Sequence, residues 1–375
     1  MKIAAAVVSE KGQPFQIKEV DLDDPKEGEA LVRIVACGIC HTDDVARHQI
    51  IPVPLPAVFG HEGCGFVEDV GPGVTSFKKG DRVGLSYSFC GTCMACRTGQ
   101  PFGCEEIRRL NFAGVQFDGS RRLHSDGQEI SSFFGQSAFA THAIVHVNNL
   151  VRVPNGIPLE MLGPLGCGIQ TGAGAILNYL KPAHYSSIII TGCGAVGLSA
   201  VMAAKIAGCT TIIACDVVDS RLEMAKALGA THTINGRDAE SVVGEVKKLT
   251  RIGTDYAVDC TGIGACVRQS LNCTRSLGAC VVLGATQELT IHVENELLGP
   301  GKTLVGLVEG CSIPQIFIPK LLSYYERGMF PFDRLITYYD FMDIEQAFED
   351  TRRGKVIKAI LRMNGQAEPK RKHNV

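Results

Sequence analysis

The chain has 375 residues, 45% of them hydrophobic, and a formal net charge of −2. That length exceeds one ordinary domain, and the apolar content can fill more than one core, so two domains are expected. The near-neutral charge gives no electrostatic basis for nucleic acid or an anionic membrane, and no apolar run approaches the ~20 residues of a spanning helix.

Residues 1–85 read as β-rich. Segments 2–8, 30–35, 67–70 and 81–85 are apolar or alternating, and Gly71-Pro72-Gly73 is a turn between the last two. The start reads as a first strand, because Glu10 and Lys11 end the apolar run too soon for a leader. Short strands between Gly and Pro turns predict a compact barrel rather than a βαβ layout. Sixteen cysteines in a chain taken as cytoplasmic are expected to be reduced. Clustered ones are then metal ligands, and the scattered Cys64, Cys209, Cys215, Cys266, Cys273, Cys280 and Cys311 are small core hydrophobes. Residues 90–104 carry Cys90, Cys93, Cys96 and Cys104 in a C-x2-C-x2-C-x7-C pattern. Four thiolates at that spacing close a tetrahedron around structural zinc and leave no place for substrate; the spacing alone also suits an iron–sulfur cluster. Residues 105–135 are charged and glycine-dotted, and read as a long surface excursion. Strand-like segments return over 139–153, a turn covers 154–158, and a helix is expected around Met161 and Leu162 and again over 173–180.

The most informative stretch is 186–216. A run of isoleucines, Ile188 to Ile190, predicts a strand buried on both faces. Gly192, Gly194 and Gly197 follow, then a helical segment 198–207 stopped by Gly208, then a β-branched run 210–213 leading to Asp216. Strand, glycine turn, helix, strand and acid are the context that a dinucleotide fingerprint requires. The glycines allow the turn, the backbone approach to a pyrophosphate and the packing of helix on strand. The helix N-terminus at Ala195 and Val196 offers free N–H groups to phosphate. Asp216, about 20 residues past the glycines, is placed to accept from the ribose hydroxyls and to repel a 2′-phosphate, so NAD is expected over NADP. Arg221 is a candidate for the same ribose. Beyond Asp216, helices at 220–229, 238–250 and 266–275 alternate with strands at 231–234, 255–260 and 278–284, a doubly wound pattern. Two amphipathic helices, 316–327 and 343–354, and a strand, 355–361, close the chain. The polar, basic segment 369–375 reads as a frayed end.

Taken together, the chain resembles the zinc-dependent medium-chain alcohol dehydrogenases over nearly its whole length. The resemblance rests on Cys37-Gly-Ile-Cys40-His-Thr-Asp43, on Gly60-His61-Glu62-Gly63-Cys64-Gly65 followed by Val70-Gly-Pro-Gly-Val74, on the four-cysteine lobe, on Gly166-Cys167-Gly168 and on the glycine fingerprint. Phe134-Gly-Gln-Ser-Ala-Phe-Ala140 and Val196-Gly-Leu-Ser-Ala-Val-Met-Ala-Ala-Lys205 are similar to the aryl (benzyl) alcohol branch. The resemblance implies an α/β chain in which a GroES-like β-barrel catalytic domain, 1–168 with the zinc lobe 90–104, is interrupted by a Rossmann domain, 169–309, and resumed by 310–375. It also implies NAD, two Zn2+ per chain, a homodimer or homotetramer, and a small alcohol or aldehyde as substrate.

The same resemblance implies residue roles. Cys40, His61 and Cys167 would hold the catalytic zinc, with a fourth position for substrate oxygen. Asp43 would hydrogen-bond the zinc-bound His61, and Glu62 would help exchange ligands. Thr42 would take the alcohol proton. His41 and Lys358 would reach the pyrophosphate, and Thr171 the nicotinamide carboxamide. Two positions depart from the pattern. Relatives often carry a histidine relay where this chain has Val45, which moves no proton, so the relay ends at water or at a group such as His48. His41 stands where relatives often carry arginine, and imidazole is a weaker, pH-dependent anchor. Phe89, Phe112 and Phe139 are candidates to line the substrate pocket. The alternatives are a glutathione-dependent formaldehyde dehydrogenase and a non-catalytic protein that binds zinc and nucleotide.

Overall fold

The structure, a computed structural model, describes residues 1–237 and 239–363, with the backbone alone for 239–241. The basic tail at 369–375 and the first residue of the helix expected from 238 lie outside the described residues. No helix among them is long and apolar enough to cross a membrane. The chain divides into two compact units. One comprises Met1–Cys167, Ile313–Ile318 and the chain from Leu335 onward; the other comprises Gly168–Ser312 and Pro319–Arg334. Sequence reading assigned all of 310–375 to the first domain. The correction concerns 310–312 and 319–334, which cluster with the second unit; the break falls inside the helix Pro314–Glu326, at its internal Pro319.

Among its described residues the first unit holds two largely antiparallel sheets. In one, Lys2–Val8 pairs with Gln16–Leu22 and with Ala57–Val58, and Leu123–Ser125 and Gln128–Ile130 extend it. In the other, Glu29–Gly38 is central, flanked by Gly63–Val70 and His142–His146, and Lys358–Arg362 pairs with its C-terminal end. Residues 105–135 are less exposed than their composition implies. Arg122, 2% exposed, puts Nε and Nη2 on the Glu29 carboxylate at 3.0 and 2.7 Å, and Nη2 also reaches Asp118 at 3.0 Å. A charge can be buried this way because its partner is buried with it and hydrogen-bonded to it. The helix expected at Met161 reduces to 3-10 turns, Leu159–Met161 and Gly163–Gly166. Close backbone approach decides this: a Cβ on Gly163 would meet the Glu62 carbonyl at 2.1 Å.

The second unit carries a parallel sheet of six described strands, in the order His232–Asn235, Thr211–Asp216, Ser187–Thr191, Thr254–Asp259, Thr274–Val282 and Thr303–Gly306. Ile188, Ile189 and Ile190 are fully buried, as a strand covered on both faces demands. Each contributes roughly 1.5–3 kcal/mol of burial. The helix Ala195–Ala207 ends at Gly208, whose φ of +88° lets its N–H close on the carbonyls of Ala204 and Lys205. The strand Thr303–Gly306 went unrecognised in the sequence because it is short and only partly buried.

Candidate active site

The first donor set is built in the first unit. Cys40 ends the central strand's connection and N-caps the helix His41–Arg47; His61 precedes the strand Gly63–Val70; Cys167 follows the second 3-10 turn. Ligand atoms of Cys40, His61, Glu62 and Cys167 all lie within 4.8 Å of one another. Gly166 makes that convergence possible, because a Cβ there would strike the Leu85 carbonyl at 1.9 Å, and the Ser86 hydroxyl donates to the Gly166 carbonyl at 2.6 Å.

Asp43 ties the set together. Fully buried, it accepts from the Cys40 N–H (3.0 Å), the Gly60 N–H (3.0 Å) and His61 Nδ1 (2.9 Å). That contact leaves Nε2 as the nitrogen able to ligate a metal, and Nε2 is buried without a hydrogen-bond partner. Burial works against charge on this imidazole, but Asp43 and the Cys40 sulfur raise its pKa well above the ordinary range. Cys40 moves the other way: the Cys167 thiol, and His61 after it, bring it well below a normal thiol despite burial. Two soft sulfurs and one imidazole, poised to gain a positive charge in place of protons, fit zinc.

Beside this set lies an ion pair. Lys358 Nζ contacts Glu62 Oε2 at 2.6 Å and Oε1 at 2.8 Å and donates to the Ile39 carbonyl at 2.8 Å. Both residues are buried. Burial lowers the lysine, but the Glu62 carboxylate more than restores it, so Lys358 titrates above its usual value. Its three donors are committed here, which corrects the expectation that Lys358 reaches a pyrophosphate. Thr42 lies beside the metal donors, its hydroxyl 3.6 Å from the Cys40 sulfur. Val45 is buried, His41 is exposed, and His48 Nδ1 contacts the Asp44 carbonyl at 2.8 Å. Phe139 is a further correction. It is fully buried and packs edge-on against Phe15 and Phe348, so it belongs to the core rather than a pocket. Phe89 and Phe112 are half-buried. Sequence reasoning did not single out Gln136, which donates to the His61 and Ser86 carbonyls and so fixes the backbone under the histidine. Its only signal was an amide in a largely apolar motif, 134–140.

In the lobe, Cys90 and Cys96 sulfurs are 3.9 Å apart and those of Cys93 and Cys104 4.0 Å. Zinc–sulfur bonds of about 2.3 Å give tetrahedral edges of about 3.8 Å, so the four thiols fit a closed site. Backbone N–H groups of Thr92 and Cys93 point at the Cys90 sulfur (3.4 and 3.3 Å). Burial pushes that thiol up, and the Thr92 hydroxyl, those backbone donors and Cys104 bring it down to about 6.

The second unit contributes a cleft of about 300 Å³ lined by Gly192, Gly194, Asp216, Val217, Arg221, Thr261 and Ile263, among others. Gly192 needs its φ of +89°, and a Cβ on Gly197 would meet the Gly192 carbonyl at 1.8 Å. A Cβ on Gly194 would meet nothing within 4 Å, so the backbone there faces open space. Ala195 and Val196 begin the helix N-terminus. Asp216 accepts from the N–H groups of Cys193 (2.6 Å) and Val218 (2.9 Å). A carboxylate has about four acceptor sites, so two remain for a ligand. Arg221 is 3.9 Å from Asp216, and its buried Nε has no hydrogen-bond partner. Thr171 sits half-buried on the helix Gly168–Gly174, which packs on the fingerprint helix through Gly172.

Comparison with known proteins agrees with this construction. Residues 26–155 match the alcohol dehydrogenase GroES-like domain family, and 195–323 match the zinc-binding dehydrogenase family. The chain is 41% identical over 361 residues to a geraniol dehydrogenase of Castellaniella defragrans, covering 95% of this chain and 96% of that one. An S-(hydroxymethyl)glutathione dehydrogenase of Paracoccus denitrificans is 34% identical, covering 96% and 100%. The crystal structure of benzyl alcohol dehydrogenase from Acinetobacter calcoaceticus superposes with a TM-score of 0.93 at 45% identity, covering 97% and 99%. This chain belongs to the zinc-dependent medium-chain alcohol dehydrogenases, an α/β oxidoreductase with a GroES-like domain and a Rossmann-type domain.

Proposed function

We propose that the chain oxidises hydrophobic primary alcohols, aromatic or allylic, to aldehydes with NAD, reversibly, and that it carries two zinc ions. The observation that carries this reading is the convergence of Cys40, His61 and Cys167 with a buried, unpartnered Nε2. Zinc held by these three would act as a Lewis acid on an alcohol hydroxyl, and NAD would accept the hydride. Cys90, Cys93, Cys96 and Cys104 would hold the second ion for structure alone.

The residues then have definite tasks. Asp43 keeps the proton on His61 Nδ1 and so presents Nε2 to the metal. Thr42 takes the alcohol proton on its hydroxyl. Val45 cannot pass it further, so water does. Glu62, held by Lys358, stands by as a carboxylate for ligand exchange. Gly192, Gly194, Gly197 and the helix start at Ala195 and Val196 bind the pyrophosphate, with His41 a weaker anchor, and Thr171 holds the carboxamide. Asp216 and Arg221 bind the adenosine ribose, and Asp216 disfavours a 2′-phosphate. The hydrophobic substrate class is supported by the names of the geraniol and benzyl alcohol relatives. A steady-state screen of benzyl, cinnamyl, geranyl and short aliphatic alcohols with NAD is expected to favour the first three. Oxidation of formaldehyde that requires glutathione would instead support the activity named for the Paracoccus relative.

A further inference from the structure

The His61 imidazole has a neighbour to which neither the proposed chemistry nor the resemblance gives a role. The Phe134 ring lies face to face with it, centroids 4.4 Å apart and planes 23° from parallel. Phe133 meets the same imidazole edge-on at 5.5 Å and 81°. Phe112 in turn packs edge-on against Phe134 at 5.2 Å, and Phe133 does so at 4.8 Å. Phe134 cannot slide, because its N–H donates to the Asn111 carbonyl (2.9 Å) and its carbonyl accepts from Asn149 Nδ2 (3.0 Å). Its φ of +53° is left-handed, a conformation that a bulky residue rarely adopts unless the surroundings impose it. Both asparagines that impose it are buried.

We infer that Phe134 is a positioning residue for the catalytic metal, its face setting the plane of the His61 ring and therefore the direction of the Nε2 lone pair. Asp43 holds the imidazole through one atom, Nδ1, and a single hydrogen bond leaves the ring free to turn about that contact. A second, flat contact removes this freedom. Carbon bulk alone would fill the space equally well, but only a planar face defines a plane. The strained backbone at 134 and its two asparagine partners are what hold that face against the imidazole. The inference rests on the proposed zinc site, and its test separates the two.

The test uses the full-length, zinc-loaded protein and a chromophoric chelator in excess, following zinc release with time. The phase that His61→Ala abolishes marks the catalytic ion, and the remaining phase reports the four-cysteine lobe. In Phe134→Leu the His61-dependent phase is expected to quicken about tenfold, the lower end of what loss of a ligand-orienting partner costs in metal affinity. The lobe phase should stay at its wild-type rate, which shows that the fold is intact. Phe134→Tyr keeps the face and should restore the wild-type rate. With Co2+ in the catalytic site, the visible ligand-field bands should shift in Phe134→Leu and not in Phe134→Tyr. If leucine does not give folded protein, Phe134→Met serves in its place. A wild-type protein lacking a His61-dependent phase removes the metal site and this inference with it. A His61-dependent phase that Phe134→Leu leaves at the wild-type rate, with unshifted cobalt bands, removes the inference alone.

Discussion

Two cysteine-containing donor sets sit in the same unit of this chain and are built on opposite plans. The lobe draws Cys90, Cys93, Cys96 and Cys104 from fifteen consecutive positions, and three of the four are half-exposed. Its sulfurs are held by backbone N–H groups of the lobe itself. The set formed by Cys40, His61 and Cys167 draws on distant segments, is buried at His61, and is held by the side chains of Asp43 and Gln136, with the Glu62–Lys358 pair beside it. A closed all-sulfur site needs only chain proximity. A site that must leave a coordination place for substrate needs its three ligands fixed from outside, by groups that are not themselves ligands.

That difference predicts opposite responses to substitution. The largest effect is expected from His61→Ala. Removing an acid that supplies several kcal/mol to the chemical step should lower kcat/KM at least ~10³-fold, and the protein should bind one zinc fewer by metal analysis. An active His61→Ala would erase the distinction between the sets. Next comes Lys358→Met, which leaves the Glu62 carboxylate buried without its cation. Stability should fall by about 3–5 kcal/mol in urea titration. In the variant Glu62 would bind a proton more readily folded than unfolded, so stability should recover as pH falls. A deficit independent of pH would mean that the pair does not carry the charge ascribed to it. Asp43→Asn keeps the size but loses the carboxylate, and should cost about 10–100-fold in zinc affinity at the His61 site while leaving the lobe ion in place. Equal loss of both ions would show that Asp43 acts on the fold rather than on the ligand. The smallest effect on the chemistry is expected from Cys104→Ser. It should lose the lobe ion and lower the thermal midpoint, yet keep the wild-type kcat/KM with benzyl alcohol at low temperature. In the second unit, Asp216→Gly tests the cleft independently: NADP turnover should rise relative to NAD, and an unchanged ratio would count against Asp216 as the selector.

The legibility of the two sets follows from the same contrast. The lobe could be read from spacing alone, because ligands close in sequence are close in space. The strand, glycine turn and helix at 187–207 were equally plain, since Ile188 to Ile190, Gly192 and Gly197 each answer to a local rule of burial, turn or close approach. The convergence of Cys40, His61 and Cys167 was not legible from spacing, and needed a family likeness to be suspected. Lys358 was misplaced for a related reason. Its partner, Glu62, is 296 positions away, and a lysine near the end of a strand carries no mark of which anion it will meet. The segment 105–135 misled because composition records charge and not pairing, and Arg122 is buried against Glu29.

By itself the sequence determined the period-bound features: which runs are buried strands, where the fingerprint helix starts and stops, and which four thiols cluster. These depend on neighbours within a few residues, where backbone geometry dictates what meets what. Tertiary structure alone decided that Asp43 holds two ligand segments at once, that Lys358 belongs to Glu62, and that Phe134 lies flat on His61. Each is a contact between segments far apart along the chain, set by how the strands pair and how closely Gly163 and Gly166 let the backbone approach, and no local rule encodes such a distance.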